Sequence, residues 1–473
     1  MPTSVVIPFA VYLLALVVAA AYWFGRIGAA NPSAYFLAGR SLGSVSLGLS
    51  LFVTTLSAEW VLGAAGVSVE IAMIAGGGVA VAVWVLAPKL VASRPFTLPQ
   101  FVGWRFNQRT GLLLSGGAIV FTLAVRVPLV IVTGSWMLHR LTGCDVLLAG
   151  VLLVFASGVL VVAGGCAAMV GGQALQGIVA FAGAGGLAAW MTTAGDVSLR
   201  YIPANTLGVP ELPWPAAVIG ACVVALWYWT GDHFVVQRFL AARDLKSIRH
   251  GSFIAAIMVL LAAPFVFPLP LQEAGTQPLP PVAAGVLGTV ISAVVMAAMA
   301  GYFHSAAALF TMDFYVARHS AASDRRLVKV GRMATAGFVV LALILVSFLA
   351  LTASSNIVLV QRLQMYLAAP VSALMIAVLF SKRTIARGAA IGLAAGGTVE
   401  ALHATAWLLS PGGTLDGLAD IETAYVAFAA FVVTLSVVLL SGTPATPVTP
   451  SGISVIPKPD GSLRMDSGWR RSA

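Results

Sequence analysis

Apolar residues fall along this chain in blocks of about 20, parted by short polar stretches. A helix rising 1.5 Å per residue needs about that length to cross a hydrocarbon core of about 30 Å. Hydrocarbon satisfies no backbone polar group, so only helices or closed barrels can span it, and barrel strands would alternate apolar and polar residues. These blocks do not alternate. The pattern predicts about thirteen helices, near 5–25, 43–67, 69–90, 113–137, 146–163, 168–191, 213–235, 251–271, 283–315, 331–352, 357–381, 385–409 and 421–441. No Lys or Arg precedes the first block and its apolar run is long, so it reads as a retained span and not a signal peptide.

Composition agrees, with 60% hydrophobic and 9% charged residues, against about 25% charged in soluble domains. The net charge of +10 points to sidedness and not to nucleic acid, because 22 of the 26 basic residues lie on alternate loops and in the tail. Arg26 and Arg40 follow span one, Lys89 and Arg94 span three, Arg238 and Arg243 span seven, Arg325 and Arg326 span nine, and Lys382 and Arg383 span eleven. The positive-inside rule then expects a multi-pass inner (cell) membrane protein with its amino terminus outside and its carboxyl terminus cytoplasmic. An odd number of spans fits this. The expected partners are the lipid bilayer and a small-molecule solute; no protein partner is indicated. Residues 441–473, rich in Pro, Ser, Gly and Thr, read as a flexible cytoplasmic tail behind one transmembrane domain, 1–440.

Cys144, Cys166 and Cys222 have no C-x-x-C spacing, the six histidines have no ligand spacing, and no Walker sequence occurs. No metal site, cofactor or ATP-driven pump is expected, and no enzyme, since no nucleophile, metal cluster or cofactor loop is present. The second block is unusual in holding Thr54, Thr55, Ser57 and Glu59 near its middle. A buried Glu must be paired, protonated or beside water, and a broken helix at a solute site supplies such surroundings.

Six strings then resemble one family, the sodium/solute symporters. They are AYFLAGRSLG (34–43), LSLFVTTLSAEWVLGAAG (49–66), AGGCAAMVGGQALQ (163–176), WYWTGDHFVVQR (227–238), LFTMDFY (309–315) and YLAAP (366–370), in the family's order and spacing. The resemblance implies an all-α fold of two inverted five-helix repeats of the leucine-transporter type with broken first helices. Repeat one would be 43–191 and repeat two 213–381, with a leading helix at 5–25 and extra helices at 385–409 and 421–441. It also implies a secondary transporter, with solute and ion held at the midplane and alternating access between the bundles.

Carried over by motif, Tyr228 and Trp229 would cover the solute on its cytoplasmic side and Gln361 would contact it; Thr55 and Glu59, in the unusual second block, are further candidate solute contacts. The alternatives are aromatic packing for the first two and a helix-to-helix hydrogen bond for Gln361. Arg126 and Arg362 lie inside apolar blocks; their donor forks suit a carboxylate or zwitterion such as an amino acid, and a structural ion pair is the alternative. Asp232 and Asp313 match family acids near helix ends and read as salt-bridge or helix-end residues. His304 and His403 read as core residues and not as proton relays.

The resemblance implies Na+ as coupling ion at Val53, Leu56, Val294, Ala297 and Ala298, but Val294, Ala297 and Ala298 stand where relatives offer hydroxyls, and have no side-chain oxygen. Gln173 stands in place of a family Asp, and Val259 and Gly78 in place of the Lys and Glu of sugar carriers, which argues against sugar. Three readings stay open: a sodium-coupled carrier, a proton-coupled or uncoupled one using H+ at Glu59, and a non-transporting solute sensor built on the same bundle.

Overall fold

A computed structural model of the chain describes residues 7–16, 18, 31–56, 77–193, 213–266, 280–351, 357–381, 383–384, 386–409, 416–441, 443–444, 455–457 and 463–465. It is nearly all helix: α1 (Ile7–Leu16), α2 (Pro32–Leu37), α3 (Ser44–Thr55), α4 (Gly77–Ser93), α5 (Leu98–Arg105), α6 (Gln108–Thr142), α7 (Val146–Thr193) and α8 (Trp214–Gly231). There follow α9 (His233–Ala241), α10 (Leu245–Val266), α11 (Pro281–Arg318), α12 (Asp324–Leu351), α13 (Ile357–Phe380), α14 (Ala386–Leu409), α15 (Asp416–Ala419) and α16 (Thr423–Leu440). Two short antiparallel pairs, β1 (Arg383–Thr384) with β2 (Thr443–Pro444) and β3 (Val455–Pro457) with β4 (Leu463–Met465), are the named strands among the described residues.

Among the described residues eight helices are long and apolar enough to cross a bilayer, or nine if α4 and α5, bent by 83° at their junction, form one span. The expected spans 5–25 and 43–67 are described over Ile7–Leu16 and Ser44–Thr55; the remainder of both, with Ser57 and Glu59, lies outside the described residues. At 48 residues, α7 would run about 72 Å at 1.5 Å per residue, more than twice the hydrocarbon depth. It is interrupted at Gly165, where φ is 60° and ψ −149°, between the two blocks that the apolar pattern separates.

Local chemistry sets the helix starts. Asn31 accepts from the Ala34 N–H at 2.8 Å, Thr97 from Gln100 at 3.2 Å, Asn107 from Thr110 at 2.7 Å and Asp244 from Ser247 at 2.7 Å. Each satisfies a donor that the first helical turn leaves free. The helices then sort by burial. The most apolar window of α11 is 89% buried and that of α12 only 28%, so α11 is the axis of the bundle and α12 a lipid-facing wall. Gly134 of α6 allows a close approach to that axis: a Cβ there would lie 2.6 Å from Val295.

Among the described residues four helices contain a wide π-type turn, at Val81–Leu86, Thr122–Arg126, Trp227–Gly231 and Phe310–Tyr315. An extra residue in a turn re-aims the side chains around it, and such turns recur at functional sites. Here they carry Arg126, Tyr228, Trp229 and Asp313. Arg238, expected on the loop after span seven, departs from the loop pattern and is 0% exposed inside α9. Its run of neighbours, Phe234 to Ala241, is buried as well, because α9 turns back into the protein and does not leave it.

At Gly165 a Cβ would meet the Tyr35 carbonyl oxygen of α2 at 2.5 Å, and the backbone lies in a region that only glycine adopts readily. Gly165→Ala is expected to cost about 1–3 kcal/mol from backbone strain alone, read as a lower Tm in detergent micelles; an unchanged Tm would show that the break does not depend on this residue.

Candidate functional site

α3 ends after Thr55, with the Leu56 N–H still bonded to Phe52 O at 3.2 Å and Leu56 itself outside helical geometry (ψ 20°). The last carbonyls of a helix lack partners within it and are available to other groups. One of them, Thr54 O, accepts from the Tyr228 hydroxyl at 3.2 Å. The wide turn of α8 thus reaches the end of α3, and Tyr228 packs edge-on against Trp229 with ring centroids 5.4 Å apart. Thr55 spends its hydroxyl hydrogen on Leu51 O at 2.8 Å, leaving its oxygen lone pairs to accept. Val53 and Leu56 are buried beside Thr55.

A polar network lies deeper in the junction of α3, α7, α9 and α11. Ser50 Oγ donates to Gln173 Oε1 at 2.6 Å, Gln173 Nε2 to Ala297 O at 2.8 Å, Arg238 Nε to Ser50 Oγ at 2.8 Å, and Arg238 Nη2 to Gln173 Oε1 at 3.2 Å. Arg238 Nη1 also donates to Phe234 O. Gln173 can do this because its amide both donates and accepts, which a carboxylate cannot. The three α11 residues expected near a cation, Val294, Ala297 and Ala298, are buried, and the Ala297 carbonyl already carries the Gln173 amide. Sequence reasoning missed Ser50 and Arg238. Arg238 ends a recognised string, but its apparent place in a basic loop concealed its burial.

Arg126 is drawn into an ion pair, with Nη1 2.6 Å from Asp232 Oδ2 and side-chain exposures of 2% and 9%. Four rings surround the guanidinium, Trp227 at 4.7 Å, Tyr302 at 5.3 Å, Phe121 at 5.4 Å and Phe234 at 5.8 Å. The other Asp232 oxygen caps α9, accepting from the Phe234 N–H at 3.0 Å. Asp232 is therefore both partners that the sequence suggested for it, a salt bridge and a helix end. Asp313 differs: it accepts from the hydroxyls of Thr97 and Ser115, and no cation pairs with it among the described residues.

Arg362 stands apart from that pair, over the Trp407 ring at 4.5 Å. The side chains of Glu59 and Gln361 lie outside the described residues. His304 lies 3.4 Å from Phe36 O, and His403 sits between Tyr366 and Ile421 O. Beyond the helix ends Arg40 acts as a clamp, donating to Leu240 O at 3.1 Å and to Arg94 O and Pro95 O at 2.9 Å each. Burial, and then the neighbouring Arg94 charge, lowers its pKa to about 10. Among the described residues no three His, Cys, Asp or Glu gather to hold a metal.

The family model described as the sodium:solute symporter family matches residues 35–200 and 276–396. The chain is 24% identical to sodium/glucose cotransporter 1 of Ovis aries over 86% of its own length and 73% of that protein, and 25% identical to the sodium/myo-inositol cotransporter of Mus musculus over 85% and 68%. Among solved structures it resembles a substrate-bound, outward-open Na+-coupled sialic acid symporter, with TM-score 0.74 and 17% identity over 94% of this chain and 99% of that one. It also resembles a nucleobase-cation-symport-1 family transporter in a closed conformation, with TM-score 0.56 and 15% identity over 88% and 97%. The fold they share is the leucine-transporter type.

Removing one partner of a buried ion pair leaves the other uncompensated. Asp232→Asn is expected to cost about 3–5 kcal/mol, and the double variant Arg126→Met with Asp232→Asn to recover part of that loss in Tm. Equal losses in single and double variants would show that the pair does not hold α6 to α9.

Proposed function

The chain belongs to the sodium:solute symporter family, and from that premise we propose that it is a secondary transporter moving a small polar organic solute by alternating access. The observation that carries the reading is the joint between the end of α3 and the wide turn of α8, where Tyr228 bonds to Thr54 O. Two interrupted helices meeting at their breaks bring unspent carbonyls, hydroxyls and aromatic faces together inside the bundle, the surroundings that a polar solute needs when it leaves water. Tyr228 and Trp229 cover the solute from one side, and Thr55, with Glu59 and Gln361, supplies polar contacts. A solute with a carboxylate, alone or in an amino acid, fits this chain, with its net charge of +10, better than the sugar and inositol named in its relatives. Arg126 serves the site from beneath by holding the α8–α9 corner through Asp232.

The coupling ion is argued from α11. Between Ala293 and Phe303 its one side-chain oxygen belongs to Tyr302, and a hard cation needs several oxygen ligands. Sodium coupling at Val53, Leu56, Val294, Ala297 and Ala298 would rest on backbone carbonyls, of which Ala297 O is engaged. A proton gradient is the driving force we infer. The basic loops support a cell-membrane orientation with the amino terminus outside.

The test is counterflow and uptake in proteoliposomes with L-alanine, lactate, D-glucose and myo-inositol, each with sodium or choline as the bulk cation. Lactate or L-alanine is expected to exchange at equal rates in both cations, and strict sodium dependence would overturn the coupling assignment. Tyr228→Phe, which removes only the hydroxyl at the joint, is expected to slow exchange by about tenfold, the equivalent of one hydrogen bond of about 1.4 kcal/mol. An undiminished rate would remove Tyr228 from the gate.

A further inference from the structure

α14 holds a buried carboxyl group, Glu400, that neither the site above nor the sequence pattern accounts for. Glu400 stands inside α14, 5% exposed, and its Oε1 meets no hydrogen-bond donor. Across from it on α13, Arg362 Nη1 is buried and meets no acceptor. The two are not paired with each other: the ion pairs among the described residues are Arg126 with Asp232 and Arg243 with Asp244. Opposite charges left unjoined in apolar surroundings are costly unless something else balances them.

The neighbours are suited to proton movement. His403 lies three residues beyond Glu400 and so shares its helix face. Its Nε2 is 3.0 Å from Ile421 O, which can only accept, so Nε2 carries the hydrogen and Nδ1 accepts from the Tyr366 hydroxyl at 2.6 Å. Other charged groups on elements packed against α14 are more distant or face water. Arg109 of α6, Asp420 after α15 and Tyr425 of α16 are exposed, Glu422 is half-buried at the start of α16, Asp416 opens α15, and Arg387 is thirteen residues, roughly 20 Å, back along α14. None of these has a hydrogen bond or ion pair with Glu400 among the described residues.

We propose that Glu400 is the site of the coupling proton, and that Arg362 is the cation that takes its place when the proton leaves. In the arrangement described the carboxyl keeps its O–H bond and needs no counter-charge. When that bond breaks, the proton passes to water on one side of the membrane and the carboxylate attracts the unspent Nη1 of Arg362, a charge-assisted contact. Pro370 interrupts the hydrogen-bond ladder of α13 four residues after Tyr366, so the segment 357–369 can turn as a unit. Gln361, the expected solute contact, adjoins Arg362 on that segment. Proton release at Glu400 and presentation of α13 to the solute are then one motion. The proposal rests on the transporter reading, and deepens it by naming the ion and its residue.

Two measurements separate the proposals. Infrared difference spectra of the purified protein between acid and alkaline pH report a protonated carboxyl through its C=O stretch. One titrating band is expected to vanish in Glu400→Gln and to persist to higher pH in Arg362→Gln, where no cation stabilises the carboxylate. Spectra identical in wild type and Glu400→Gln would overturn the proton site, whether or not any solute is transported. In proteoliposomes with lactate and L-alanine, the ratio of pH-driven accumulation to counterflow is expected to fall about tenfold or more in Glu400→Gln. An unaltered ratio overturns the proposal too. Absence of counterflow in the wild type with every solute overturns the transporter reading instead, while the infrared band still decides the proton site.

Discussion

A hydrocarbon interior offers no hydrogen bonds, and the rest of this structure follows from that constraint. Every polar group at depth has to find its partner within the bundle. The helical backbone answers most of the demand, leaving the helix breaks as the places where it is unmet. Those breaks, at the end of α3, at Gly165 and at the wide turns of α6, α8 and α11, occur where other helices cover them. The axis helix α11 is 89% buried over its apolar window, and Arg126, Trp229 and Asp313, carried on the wide turns, are buried.

Two cations show how differently the demand can be met. Arg126 has a carboxylate partner at 2.6 Å within a ring of aromatic faces. Arg238 has no carboxylate beside it among the described residues, and is held by a hydroxyl, an amide oxygen and a backbone carbonyl. A fully buried guanidinium in such a set holds its charge beside α3, and Gln173 carries the network on to α11 through Ala297 O.

The same constraint makes the unjoined pair on α13 and α14 informative. Glu400 Oε1 and Arg362 Nη1 are both buried without a hydrogen-bond partner, while His403 and Tyr366 between their helices are joined by a hydrogen bond of 2.6 Å. A carrier that must alternate between two arrangements has a use for a contact formed in only one of them.

Much of this was legible in the residues. The length of the apolar blocks follows from the bilayer's thickness, so the helical class could be read directly, and the Tyr228–Trp229 string lies at the joint with α3. The interruption at Gly165 could be anticipated from the gap between two blocks. The partners of the buried charges could not. Arg126 and Asp232 are 106 residues apart, Ser50 and Arg238 are 188 apart, and no local pattern records which distant helix lies alongside. Arg238 read as a loop residue and Glu400 drew no notice, because hydropathy averages over a window while burial depends on what covers one side chain. The chain's own order thus determined where helices run and stop; tertiary packing alone decided which charges meet, since pairing depends on distances that only the assembled bundle creates.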